Sequence, residues 1–220
     1  MSKYVMSDIH GCFDKFKQML QMINFSKEDE LYILGDIFDR GPQSLEILDY
    51  ILGNKNMFLL KGNHEHMFQE YFESKSPYMW YCNGGEVTHN QMLMHEYMQE
   101  EQIYRYIKSL PFIKVVDKFI LVHASVVYVD GFENMSIDEF IASQEEENCI
   151  WDRINIGKEK QFKDYTVICG HTPVQTIVKN NDAKIIHKEG TIYIDCGAVF
   201  KDANGQLACL NIDTMEEFYV

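Results

Sequence analysis

Two carboxylates and a guanidinium stand together in Gly35-Asp36-Ile37-Phe38-Asp39-Arg40-Gly41. Carboxylates suit hard or borderline cations, and a guanidinium suits phosphate through its planar fork of donors. Related residue types return in four further short motifs: Asp8-Ile9-His10-Gly11, Gly62-Asn63-His64-Glu65, His123-Ala124 and Gly170-His171-Thr172. Oxygen and imidazole donors fill them and cysteine is absent, which argues against a structural thiolate zinc site. A hydrolase built on two ions needs one bridging carboxylate, donors on either side and a shared, acidified water. Asp36, in the central motif, is the natural bridge. Taken singly, Asp8 or Asp36 reads as a turn residue or helix cap, and His123 as a satisfied core histidine. The ordered set is what points to metal chemistry.

Each motif follows an apolar run: Tyr4-Val5-Met6, Leu31 to Leu34, Met57 to Leu60, Phe119 to Val122 and Val167 to Cys169. Such runs read as buried strands, and in α/β sheets ligands gather at the carboxyl edge. Helical spacing appears in Phe13 to Phe25 and Ser44 to Leu52, so βα units open the chain. Asn63 to Phe72 runs from loop into helix. Ser74 to Glu86 reads as an irregular excursion, and Val87 to Met98 and Ile103 to Leu110 as helices. Ile113 to Val116 pairs with Phe119 to Val122. Ser136-Ile137-Asp138-Glu139 has capping-box spacing and should start a short helix. Asp152 to Asp164 is polar and loop-like. The last third reads as all strand: Thr166 to Cys169, Thr176 to Val178, Lys184 to His187, Thr191 to Ile194 and Leu207 to Ile212.

The 220 residues, 46% hydrophobic, suit a single domain over 1–220. A formal net charge of −14 argues against binding nucleic acid or anionic membranes, and calls for local cations if phosphate is the substrate. The six cysteines lack CxxC spacing and read as reduced core thiols. With no signal-peptide pattern and no long apolar stretch, a cytoplasmic protein is expected.

The five ordered motifs resemble those of the phosphoprotein phosphatase family of dinuclear metallophosphatases, and the small bacterial and bacteriophage lambda-type serine/threonine phosphatases in particular. Ile150-Trp151-Asp152-Arg153, Thr172-Pro173 and Tyr193-Ile194-Asp195-Cys196-Gly197-Ala198-Val199-Phe200 extend the likeness over nearly the whole chain. The resemblance implies an α/β fold, a sandwich of two mixed β-sheets flanked by helices. It implies two divalent ions, Mn with Fe or Zn as alternatives. Asp8, His10 and Asp36 would hold one; Asp36, Asn63, His123 and His171 the other. A metal-bridging hydroxide would attack phosphorus in line. Arg40 and Arg153, with Asn63, would bind the phosphoryl oxygens, His64 would protonate the leaving oxygen and Asp39 would orient His64. Two positions depart from the family pattern: Ser7 stands where Gly is usual, and Ser125 follows His-Ala.

Glu65 is expected to support its loop rather than bind metal. Lys61 could add positive charge near phosphate, and Glu145-Glu146-Glu147 reads as a solvated surface. His66, His89, His95 and His187 are assigned to surface or packing, and Met92, Met94 and Met98 to core or an interface. The expected substrate is a phosphoserine or phosphothreonine protein, with phosphotyrosine as an extension, or a small phosphate ester. One alternative is symmetrical hydrolysis of diadenosine tetraphosphate, with Tyr78, Trp80, Tyr81 and Tyr128 available to stack adenine. Another is a catalytically silent phosphate-binding module. The oligomeric state is not encoded in any motif.

Overall fold

The structure is a computed structural model that describes residues 1–94, 99–179 and 182–220. Alternation along the first strand, β1 (Lys3–Met6), decides the layering. Tyr4 and Met6 project into one apolar cluster and Val5 into another, because successive strand side chains face opposite ways. β2 (Glu30–Ile33) and β3 (Met57–Leu59) lie parallel to it in turn, with Val5 opposite Tyr32 and Tyr32 opposite Phe58. The antiparallel β9 (Ala208–Asn211) and β10 (Glu217–Tyr219) complete a five-stranded sheet, ordered β10-β9-β1-β2-β3.

Against its Tyr4 and Met6 face pack α1 (Phe13–Met22), α2 (Ser44–Leu52) and α3 (Asn63–Ser74), through Phe16, Leu48 and Phe68 among others. Beyond α3 come α4 (Tyr78–Cys82), α5 (Glu86–Met94) and α6 (Glu100–Lys108). Val5, Tyr32, Leu34, Ala208 and Leu210 share the other cluster with a second sheet. That sheet is ordered β4-β5-β6-β8-β7: β4 (Ile113–Val116), β5 (Phe119–Val122), β6 (Thr166–Cys169), β7 (Ile186–Lys188) and β8 (Thr191–Tyr193). β5, β6 and β8 are parallel, with antiparallel strands at both edges. Two short helices, α7 (Ile137–Ala142) and α8 (Glu146–Trp151), cross from β5 to β6. The expected sandwich of two mixed sheets flanked by helices is what forms. No helix among the described residues is long and apolar enough to cross a membrane.

Two local expectations are corrected, and a third runs beyond the described residues. Thr176 to Val178, expected as strand, belongs to α9 (Val174–Val178). Its β-branched residues favour a strand, but Pro173 starts a turn to which the Thr176 amide and hydroxyl return at 2.8 and 2.7 Å. Val174 is fully buried and its amide donates to the Asp195 carbonyl at 2.9 Å, so tertiary packing overrides propensity. The excursion from Ser74 to Glu86 contains the helical turn α4, which drives Trp80 into the core. The helix from Val87 is described to Met94 only; His95 and Met98 lie outside the described residues.

Candidate active site

Parallel pairing brings the motifs together. Asp8 and His10 leave β1, Asp36, Asp39 and Arg40 leave β2, and Asn63 and His64 open α3 just after β3. His123 directly follows β5 and His171 follows β6. Six of these residues have left-handed backbone: Asp8 (φ 52°), His10 (45°), Asp36 (55°), Asp39 (71°), Arg40 (68°) and His171 (66°). Each such residue costs about 1–3 kcal/mol, and strain of this kind concentrates at functional sites. It persists only where neighbours over-determine the geometry. One constraint is Gly62, where any Cβ would collide with the Asp36 carboxylate and backbone.

Glu65 supplies the other. Its carboxylate, fully buried, accepts four backbone N–H bonds: from Asp36 (2.8 Å), Ile37 (3.0 Å), Phe38 (3.3 Å) and Gly62 (3.0 Å). It ties the loop after β2 to the loop after β3. Burial and the Asp36 charge push this carboxyl up to about 7, while the backbone donors pull it down. Those donors occupy both oxygens, which leaves no position for a proton and keeps the group ionised.

Two groups of donors share Asp36: His10, Asp36 and His64, and Asp36, His123 and His171. In the second, His123 Nδ1–H donates to the Leu34 carbonyl at 2.6 Å, so Nε2 is the side that faces inward. That Nε2 lies 2.9 Å from Asn63 Oδ1, 3.1 Å from His171 Nδ1 and 3.4 Å from Asp36 Oδ2. Asn63 Oδ1 is also 2.9 Å from His171 Nδ1. Four electron-pair donors converge, so the cluster demands a cation, whether proton or metal. Against burial, the Asp36 charge holds His123 up at about 10. Burial and then the His123 charge push His171 down to about 2. His171 therefore stays neutral, and its buried Nε2 has no hydrogen-bond partner. Its Nδ1 is the atom that faces the cluster, where a neutral imidazole can offer a lone pair to a metal. Asp36, despite burial, is held well below the usual carboxylate range by His123, His64 and His10.

In the first group His10 Nδ1–H donates to the Phe38 carbonyl at 2.7 Å, so Nε2 again carries the free pair. It lies 3.7 Å from Asp36 Oδ2 and 4.0 Å from Asp8 Oδ1. Burial and the His64 charge lower the His10 pKa well below its ordinary value. Asp8 is turned by two donors on Oδ2, the Ser7 hydroxyl and the His171 amide, the latter at 2.9 Å. Ser7 thus adds a hydrogen bond to the first motif without displacing it.

Within the first group His64 Nδ1 donates to Asp39 Oδ2 at 2.6 Å, in a pair almost wholly buried. Burial opposes a charge on His64, but Asp36 and the Asp39 hydrogen bond outweigh it and raise its pKa. Asp39 is fixed in turn by Trp80 Nε1–H at 2.8 Å, and its amide donates to Thr88 Oγ1 at 2.8 Å and Ser44 Oγ at 3.1 Å. Arg40 reaches across the pair of rings, with Nη1 donating to His10 Nε2 at 2.6 Å and Nη2 to His64 Nε2 at 2.9 Å. Arg153 differs. It is exposed and donates from Nη1 only to the Trp151 carbonyl, at a long 3.4 Å, although its charge reaches His171. The Trp151 ring stands edge-on to His171, with centroids 6.3 Å apart.

Several side chains play parts that their types did not announce. Lys61 is buried, bound to Glu146 at 2.9 Å and to Gln69 at 3.2 Å, so it does not face a phosphate position. Glu146, expected as solvated surface, is its partner and also meets His66 Nδ1 at 3.2 Å. Ser125 accepts from Asn155 Nδ2 at 2.9 Å, joining the His123 loop to the segment that carries Arg153. Trp80 is buried on Asp39 and so is not free to stack a base. Asp195, at the carboxyl end of β8, was not singled out; burial and the Asp8 charge push its pKa well up. The signal for it was one already used elsewhere, an apolar run (Thr191 to Ile194) ending in Asp.

Comparison with known proteins gives a consistent family. The calcineurin-like phosphoesterase profile matches residues 1–193. Serine/threonine-protein phosphatase 1 of Salmonella typhimurium is 29% identical over 95% of this chain and 91% of its own length. The symmetrical bis(5'-nucleosyl)-tetraphosphatase of Wigglesworthia glossinidia brevipalpis is 51% identical over 67 residues, which is 30% of this chain and 25% of that protein. This match spans only about a quarter of that relative's length. A solved structure provisionally described as a diadenosine tetraphosphatase superposes over 99% of this chain and 92% of its own, with TM-score 0.69 and 16% identity, a likeness of fold.

Proposed function

Because the chain belongs to the calcineurin-like phosphoesterase family, and so is a metal-dependent phosphoester hydrolase, we propose that it acts as a phosphomonoesterase on phosphoserine and phosphothreonine in proteins. The observation that carries this reading is the joint placement of the Asp39–His64 pair and Arg40 beside two donor groups that share Asp36. The nearly full-length likeness to a serine/threonine phosphatase supports it.

The donor set fits two divalent ions, Mn²⁺ with Fe or Zn as alternatives: Asp8, His10 and Asp36 for one, and Asp36, Asn63, His123 and His171 for the other. Bound there, the ions supply an acidified water and draw negative charge off the phosphoryl oxygens. Asp36 serves both groups, and Glu65 holds its backbone in place. Arg40 turns from the imidazoles to the non-bridging oxygens, where paired charge-assisted bonds favour the crowded charge of the transition state. Arg153, exposed and held only by a long bond to the Trp151 carbonyl among the described residues, is the second clamp and closes on substrate. His64 Nε2 delivers a proton to the leaving oxygen, and Asp39, hydrogen-bonded to Nδ1, holds the ring and raises its basicity. No covalent phosphoenzyme is required.

A second reading, symmetrical hydrolysis of a dinucleoside tetraphosphate, is favoured by the 51% identity over 67 residues to such a hydrolase. A silent binding module is disfavoured because each donor and both arginines are retained. The test compares steady-state turnover of the Mn²⁺-loaded protein on a phosphoserine peptide, a phosphotyrosine peptide and diadenosine tetraphosphate. Calorimetric metal titration of wild type and Asp36→Asn runs alongside. Two ions bound by wild type, and kcat/KM highest on the phosphoserine peptide and abolished in Asp36→Asn, are expected. A dominant rate on the dinucleotide moves the assignment to the second reading. No metal binding and no turnover restores the silent module.

A further inference from the structure

A cleft of about 420 Å³ opens beside Arg40, between the start of α1 and the segment after β8. Gly11, Lys15, Arg40, Gln43, Val199 and Lys201 contribute to its walls. Three cations thus line one cleft in a chain whose formal net charge is −14. The acid on its wall, Asp14, pairs with Lys17 at 3.1 Å, which offsets its charge.

The cations are held in different ways. Lys15 Nζ donates to the carbonyls of Ala198 and Gly205, each at 2.9 Å, so the ammonium is anchored with one proton to spare. Lys201 is exposed, on the segment that Lys15 ties down. Arg40 forms the inner end, where its guanidinium meets His10 and His64 and lies 5.6 Å over the Phe200 ring. The cleft therefore leads outward from the phosphate clamp of the candidate site. Among the described residues no hydrogen bond or ion pair joins either lysine to the candidate metal donors, and Lys15 serves the fold through its tether.

We propose that Lys15 and Lys201 form an anion subsite for a second negative group of the substrate, next to the phosphate held by Arg40. This rests on the phosphohydrolase reading above and deepens it: the preferred substrate carries an anion beyond its scissile phosphate. Phosphate chains and acidic side chains beside a phosphorylated residue offer the same chemistry. A tethered ammonium and an exposed one can meet either, whereas an isolated monoester brings no second anion to them. The subsite also gives an acidic protein a local positive field where its anionic substrate enters.

The test uses the Mn²⁺-loaded full chain, wild type, Lys201→Ala and Lys15→Met. Substrates are p-nitrophenyl phosphate, a phosphoserine peptide flanked by Asp, its Ala-flanked twin and diadenosine tetraphosphate. Each variant should lose about tenfold in kcat/KM on substrates with a second anion, mainly through KM. On p-nitrophenyl phosphate and the Ala-flanked peptide, both should match wild type. A loss on the Asp-flanked peptide alone identifies the acidic side chain as the source; a loss on the dinucleotide alone identifies the phosphate chain. Equal effects on all four substrates, or none, overturn the subsite. Because Lys15→Met removes a tether, Lys201→Ala decides if the former does not fold. Calorimetric binding of inorganic pyrophosphate, against orthophosphate, gives a second readout. Wild type should favour pyrophosphate and Lys201→Ala should lose that preference; an unchanged preference also overturns the subsite. If wild type turns over nothing, the phosphohydrolase reading fails, and the pyrophosphate titration still decides the subsite.

Discussion

Glu65→Gln is the sharpest perturbation the site offers, because it changes one atom of a buried tether. In wild type the carboxylate accepts four backbone N–H bonds between 2.8 and 3.3 Å. A carboxamide has one carbonyl oxygen with two lone pairs, and its NH₂ would confront donors. At least two of the four N–H groups lose their acceptor. A bond to a charged group contributes about 1.5–3 kcal/mol, and a stranded buried donor costs about 1–3 kcal/mol. Those terms overlap, so the expected loss is about 3–5 kcal/mol. For a chain of this size each kcal/mol moves Tm by about 2–4 °C, which gives a drop of roughly 6–20 °C. The site should suffer with the fold, since the freed amides belong to Asp36, Ile37, Phe38 and Gly62. Scanning calorimetry of the metal-free protein measures the first effect, and metal titration the second. A Tm within about 2 °C of wild type, with metal affinity intact, would refute the reasoning. It would mean that Glu65 carries a proton in the folded protein, since Gln mimics the neutral acid.

Two further outcomes follow from other contacts. His64→Asn should lower kcat by about 10²–10⁴ on a phosphoserine peptide, where the leaving oxygen needs a proton, and far less on p-nitrophenyl phosphate; equal losses on both would remove His64 from the acid role. Glu146 bonds His66 and, against partial burial, Lys61, and together they hold its pKa down at about 2, below its ordinary 4.5. Its contribution to stability is therefore complete above about pH 4.5 and is lost as pH falls towards 2. With a third of the side chain exposed, screening cuts the contribution to about 1–2 kcal/mol. Urea unfolding of wild type and Glu146→Gln should show a gap that closes across that window; a gap independent of pH would contradict the assignment.

Much of the site was legible because its chemistry is local in sequence. Each motif sits within a few residues of a strand end, so residue type and the preceding apolar run pick out Asp36 as a candidate bridge, while the parts given to Asp8, Asn63, His123 and His171 come from the family resemblance. Glu65 was assigned to its loop for the same reason, being three residues from Gly62. The apolar run Tyr4-Val5-Met6 likewise made a buried strand readable, and the strand is covered on both faces. α9 was missed because Val174 to Val178 is strand-like by propensity, and only burial of Val174 and its bond to Asp195 decide otherwise.

What the sequence by itself determined was the ordered motifs of Asp, Asn and His and the strand ends that carry them, since both depend on neighbours along the chain. What tertiary structure alone decided was which charges meet. Lys61 and Glu146 are 85 residues apart and join only because α8 packs beside the end of β3. Trp80 fixes Asp39 from 41 residues away, when a short helix turns its indole inward. Lys15 is held by carbonyls 183 and 190 residues distant. Pairings of this kind come from strand order and helix packing, and no local pattern encodes them.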